Sequence, residues 1–101
     1  MKILAVNIHN QHNKKLSVLA ATERAWMLDE NKFKENLPDF VIGVANGVIK
    51  GYFRLLGVSI DIIEPNRLKF TLTACNKNEI ESIDNFTKGK NLRYFVIKQK
   101  W

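Results

Sequence analysis

Residues 40–53 read FVIGVANGVIKGYF, two apolar runs around Asn46-Gly47. Asn-Gly is the dipeptide that best tolerates the positive φ angles of a two-residue type I′ turn, so the stretch predicts a β-hairpin. With those two residues as the loop, Ala45 pairs with Val48, Val44 with Ile49, Ile42 with Gly51 and Phe40 with Phe53. One face then carries Phe40, Ile42, Val44, Ile49 and Phe53, enough apolar surface to seed a core. The other carries Val41, Gly43, Lys50 and Tyr52. A one-residue slip would exchange the faces, so turn and core specify one register. Gly51, on the core face, lets the strand bend sharply, which suits a coiled sheet or small barrel.

Working outward, KILAVNI (2–8) alternates with Leu4, Val6 and Ile8 on one side and predicts a first strand. A polar loop, 9–15, holds His9 and His12. Residues 16–21 are apolar without a clear period, equally compatible with strand and helix. Asp29 is a plausible N-cap for a short helix through Leu37, with Phe33 and Leu37 spaced i, i+4 and Pro38 ending it. After the hairpin, GVSIDII (57–63) predicts a strand with Val58, Ile60 and Ile62 on one side, and Glu64-Pro65-Asn66 a turn. RLKFTLTA (67–74) alternates cleanly, with Leu68, Phe70, Leu72 and Ala74 inward and Arg67, Lys69, Thr71 and Thr73 outward. Asn78 can cap a second helix bearing Ile80, Ile83 and Phe86, and LRYFVIK (92–98) predicts a closing strand. Two short helices on a mostly antiparallel sheet make a small β-barrel, one domain over 1–101.

The chain has 101 residues, a net charge of +6 and one cysteine. No apolar run reaches membrane-spanning length and the start lacks a signal-peptide cleavage site, so a reducing cytoplasm is the expected setting. Residues 51–101 hold nine Lys/Arg against five Asp/Glu, and residues 1–50 seven against five. A basic surplus favours anionic partners, nucleic acid first among them.

The order of parts resembles the PUA-like barrel superfamily, which includes ASCH, EVE and YTH domains and small barrels appended to GIY-YIG-type nucleases. The resemblance spans roughly residues 20–98. It rests on Arg24 and Trp26 before a short helix and on the hairpin turning on Asn-Gly and running through Gly-Tyr. A second hairpin, a short helix and Asn91-Leu92-Arg93-Tyr94 complete it. It implies an antiparallel PUA-like barrel that binds RNA or DNA, often gripping a base beside the barrel, without catalysis of its own. The one tryptophan motif, Arg24-Ala25-Trp26, is fewer aromatics than a cage for a methylated base uses.

Three clusters are candidate nucleic-acid contacts. Trp26 can stack on a base and Arg24 can pair a phosphate or guanine edge; equally, Trp26 can plug the barrel and Arg24 pair with Glu23 or Asp29. Lys50 and Tyr52 share the second hairpin face, where Gly43 leaves bare backbone for a shallow platform; the plain alternative is a solvated lysine beside a packed tyrosine. Lys88, Lys90, Asn91 and Arg93 form a basic turn able to hold phosphates through side chains and the Gly89 amide, or simply a solvated turn. Arg24, Tyr52 and this turn are expected to converge. His9 and His12 lack the matched second pair of a zinc site, and no residue pattern implies a cofactor. Two other classes fit the size and charge: a stand-alone protein-interaction or inhibitor protein of the phage or mobile-element type, and a small basic ribonuclease using His9 and His12.

Overall fold

A computed structural model describes residues 2–9, 17–26, 33, 35, 37–60, 62 and 67–89, with the backbone alone for 24–26. Strands β1 (Ile3–Asn7), β2 (Arg24–Trp26), β3 (Phe40–Ala45), β4 (Val48–Ile60) and β5 (Leu68–Ala74) form one sheet. Its order is β1-β3-β4-β5-β2, four longer strands and a three-residue edge strand. Helices α1 (Val18–Glu23) and α2 (Lys77–Thr87) accompany it. Among the described residues β1 and β2 are the two edges and do not pair, so the sheet is open.

The Asn46-Gly47 turn forms as expected, with φ of 55° and 78°, and Ala45 faces Val48 and Val44 faces Ile49. Beyond that the register departs from the sequence reading. Gly43 pairs with Gly51, Ile42 with Tyr52, Val41 with Phe53 and Phe40 with Arg54. Lys50 is the extra residue of a β-bulge, and everything past it changes face. Phe53 therefore joins Val41, and Tyr52 joins Ile42, the reverse of the expected faces.

Both faces are buried over the hairpin, which is why alternation did not identify a solvent side there. One face packs Leu4, Val6, Ile8, Val41, Phe53, Leu68, Phe70 and Leu72 with Ala21 of α1 and Phe33. Phe33 stacks on Phe70 at 5.4 Å between ring centroids. The other packs Ala5, Ile42 and Val44 against Ile83 of α2, with Ile3, Phe40, Ile49, Tyr52 and Cys75 around them.

Further corrections follow from the topology. β1 runs parallel to β3, so the sheet is mixed. Alternation cannot distinguish the two directions. Residues 57–60 of the expected strand at 57–63 are instead the end of β4, which pairs with β3 first and β5 afterwards. Residues 18–23 resolve as helix because Ser17 caps it: the Ala20 N–H donates to Ser17 Oγ at 3.0 Å. α2 (Lys77–Thr87) is capped two residues earlier than expected. Asn76, not Asn78, accepts from the Glu79 N–H at 2.8 Å, and Glu79 Oε1 accepts from the Asn76 N–H at 2.9 Å, a reciprocal capping box. Phe33 and Glu35 are helical as expected, but Leu37 is 46% exposed and does not share the buried side of Phe33. Asp29, the 64–66 turn and the closing strand at 92–98 lie outside the described residues.

Two glycines seat α1. A Cβ on Gly43 would sit 2.5 Å from Thr22 Oγ1, and one on Gly51 would sit 2.6 Å from Val18 Cγ1 and 2.7 Å from the Phe53 ring. They face each other across β3 and β4, so the helix lies on bare backbone.

Candidate nucleic-acid interface

α1 lies over β3, β4 and β5 on one side of the sheet. α2 covers only part of the other side, the portion holding Ala5, Ile42, Val44 and Tyr52. Two side chains of β4 pin it there. The Tyr52 hydroxyl donates to Asp84 Oδ1 at 2.5 Å. Arg54 forks onto Glu79, Nε to Oε2 at 2.9 Å and Nη2 to Oε1 at 2.6 Å. Arg54 and the capping box hold the Glu79 carboxyl below the usual carboxylate range. Burial, and then the Asp84 carboxylate, push the Tyr52 phenol up to about 12. Both groups serve helix docking.

Past Arg54 no described element covers the same face of the sheet. Arg54 pairs with Thr73, Gly57 with Thr71 and Ser59 with Lys69, and Lys69 pairs in turn with Arg24. Ser59, Lys69 and Thr71 are exposed and Thr73 is half-buried. Leu56 is the extra residue of a second bulge, between the Leu55–Leu72 and Gly57–Thr71 pairs, and is 61% exposed. The result is an open strip across β4, β5 and β2. It carries a cation, hydroxyls and an exposed leucine, with the Arg24 register position at its edge. Among the described residues Lys69 makes no ion pair.

Those of the expected site residues that are described lie on different parts of the molecule. Arg24 and Trp26 are in β2, opposite Lys69 and Leu68 in register. Leu68 is a core residue, while Lys69 is on the open strip. Lys50 is exposed on its bulge, about 23 Å along the strand from Gly57 at the usual rise. The shallow platform expected of Lys50, Tyr52 and Gly43 does not form: Tyr52 is tied to Asp84, and α1 sits on Gly43. Lys88 is exposed at the C-cap of α2, and no described contact brings it to Lys69 or Tyr52. Lys90, Asn91 and Arg93 lie outside the described residues.

An open hollow of about 430 Å³ beside Arg54 is lined by Pro38, Asp39, Phe40, Arg54 and Leu55. Its charges are already engaged, Arg54 by Glu79 and Asp39 by the Lys2 N–H at 3.0 Å. The Cys75 thiol is pushed up, chiefly by burial, which keeps it protonated and a poor nucleophile. Among the described residues no three His, Cys, Asp or Glu side chains cluster for a metal, and no helix is long and apolar enough to cross a membrane. His9 is described and His12 is not.

Comparison with protein-family models, with curated proteins and with solved structures finds no match to this chain.

Proposed function

We propose that the protein is a nucleic-acid-binding module with no chemistry of its own, acting in the cytoplasm. The observation that carries this reading is the strip that no described element covers, where Lys69 stands in register with Arg24 and beside the hydroxyls of Ser59 and Thr71. Cations supply affinity by releasing counterions, and hydroxyls contact phosphate and sugar. The net charge of +6 steers polyanions to the molecule as a whole. Membership of the PUA-like superfamily, with the sheet closed into a barrel and a base held beside it, is the fold-level part of the same proposal.

The test is fluorescence of the two tryptophans during titration with short single- and double-stranded RNA and DNA at low and moderate salt. Salt-sensitive quenching is the expected result. No response to any of the four at low salt overturns the reading.

A second reading rests on a different observation. Leu56, Ile60 and Ile62 are 61%, 52% and 94% exposed along one end of β4 and just beyond it. Exposed aliphatics of this kind suit a protein partner. One protein retained on the immobilised chain after nuclease treatment, and released by Ile62→Asp, is what that reading expects.

A further inference from the structure

The chain has five glycines, and four of them have a structural reason. Gly47 and Gly89 adopt φ of 78°, the left-handed region. Gly43 and Gly51 have no room for a Cβ beneath α1. Gly57 has neither reason. Its φ lies outside the left-handed region, and a Cβ built there meets nothing within 4 Å. It nevertheless interrupts a 13-residue strand, where glycine weakens the element relative to any side chain with β propensity. Bare backbone in open space, in mid-strand and at a bulge, is the arrangement that lets a ligand approach the chain closely.

Gly57 is at the centre of the open strip. Leu56 precedes it, 61% exposed, and Thr71 pairs with it. Ser59 and Lys69 form the next pair on one side, with Arg24 beyond Lys69 in register. Arg54 and Thr73 form the pair on the other side. Resting on the nucleic-acid reading above, we infer that the Leu56–Gly57 bulge is a base-binding station for single-stranded nucleic acid. A base lies on the bare Gly57 peptide against the Leu56 side chain, and the flanking phosphates lie toward Lys69.

Shape selects the single strand. Three neighbouring strands make a strip roughly 10 Å across, and the Lys69 and Thr73 rows are about 13 Å apart along β5 at normal spacings. Such a face can carry one extended strand with its bases turned toward the sheet. Among the described residues the strip itself puts up no helix or two-stranded ribbon to enter a duplex major groove, and α2 stands beside it on the same face as a wall, so the base edges of a duplex stay out of reach. Charge complementarity argues for a polyanion over an apolar peptide, because Lys69 is exposed and unpaired among the described residues.

The experiment measures fluorescence anisotropy of dye-labelled oligothymidylate and oligouridylate, alone and annealed to their complements. The full chain and Gly57→Val are compared, with melting curves of both. The wild-type chain is expected to prefer the single strands. Gly57→Val is expected to melt at or above the wild-type temperature and to bind at least about tenfold more weakly, a loss of about 1.4 kcal/mol. Wild-type affinity in Gly57→Val, or a preference for duplex, overturns the station while the nucleic-acid reading stands. No binding of any probe by the wild-type chain removes both. Leu56→Glu, which puts a carboxylate at the same place on an exposed side chain, must also weaken binding. Its retention of full affinity overturns the station whatever the fate of Gly57→Val.

Discussion

Gly51 and Gly57 are six positions apart in one strand and respond to a side chain in opposite ways. At Gly51 a Cβ collides with the Val18 side chain of α1 and the Phe53 ring, and relief requires these packed side chains to shift. Gly51→Ala is expected to lower stability by about 1 to 3 kcal/mol, the usual penalty for overpacking. Gly57→Val should leave stability unchanged or raise it by up to about 1 kcal/mol, since the new side chain enters open space and favours a strand. Urea denaturation of the two variants checks both signs. Phe33→Ala should cost more, about 3 to 5 kcal/mol, because it empties a fully buried ring site stacked on Phe70. Phe33 was legible in the sequence as an apolar helix position. The face of Tyr52 was not. A two-residue period carries no mark of the extra residue at Lys50, and that one residue moves Tyr52 from an open platform to the underside of α2.

β4 holds α2 through alternate residues, and the two attachments titrate at opposite ends of the pH scale. Tyr52 keeps its proton up to about 12 in the folded chain, against an ordinary 10.0. Its contribution is therefore complete below pH 10 and is lost as pH rises toward 12. Glu79 is held below its ordinary value, so its contribution is complete above the usual carboxylate range and is lost as pH falls through the depressed one. Melting temperature followed across pH should fall at both ends. Tyr52→Phe is expected to flatten the alkaline limb and Glu79→Gln the acid limb. Asn76→Ala removes one half of the capping box and should cost about 1 kcal/mol at neutral pH in denaturation. The existence of α2 was legible from Ile80 and Ile83. Its landing place was not, because docking depends on Tyr52 and Arg54, distant in the chain. The open strip has the same history. Lys69, Thr71 and Thr73 read plainly as outward residues of an alternating strand, but whether a helix covers that side is settled only when α2 stops at Arg54.

For the molecule as a whole, polyanion binding governed by few cations has a measurable signature. Each phosphate neutralised in a single strand contributes about −0.7 to the slope of log K against log salt. Lys69→Ala should make that slope shallower by about 0.7 and weaken all sequences alike. An unchanged slope would remove Lys69 from the interface. The same sheet order bears on how the chain comes together. The first 26 residues supply both edges, β1 and β2, while the central β3, β4 and β5 form a meander of neighbours in sequence. β1 has to wait for residues 40–44 and β2 for residues 68–69 before either can pair. Pairing across the Asn46-Gly47 turn closes a far shorter loop than either edge strand must close, so in refolding, pulse-labelled hydrogen exchange should find the amides of the β3–β4 hairpin protected before those of β1 and β2.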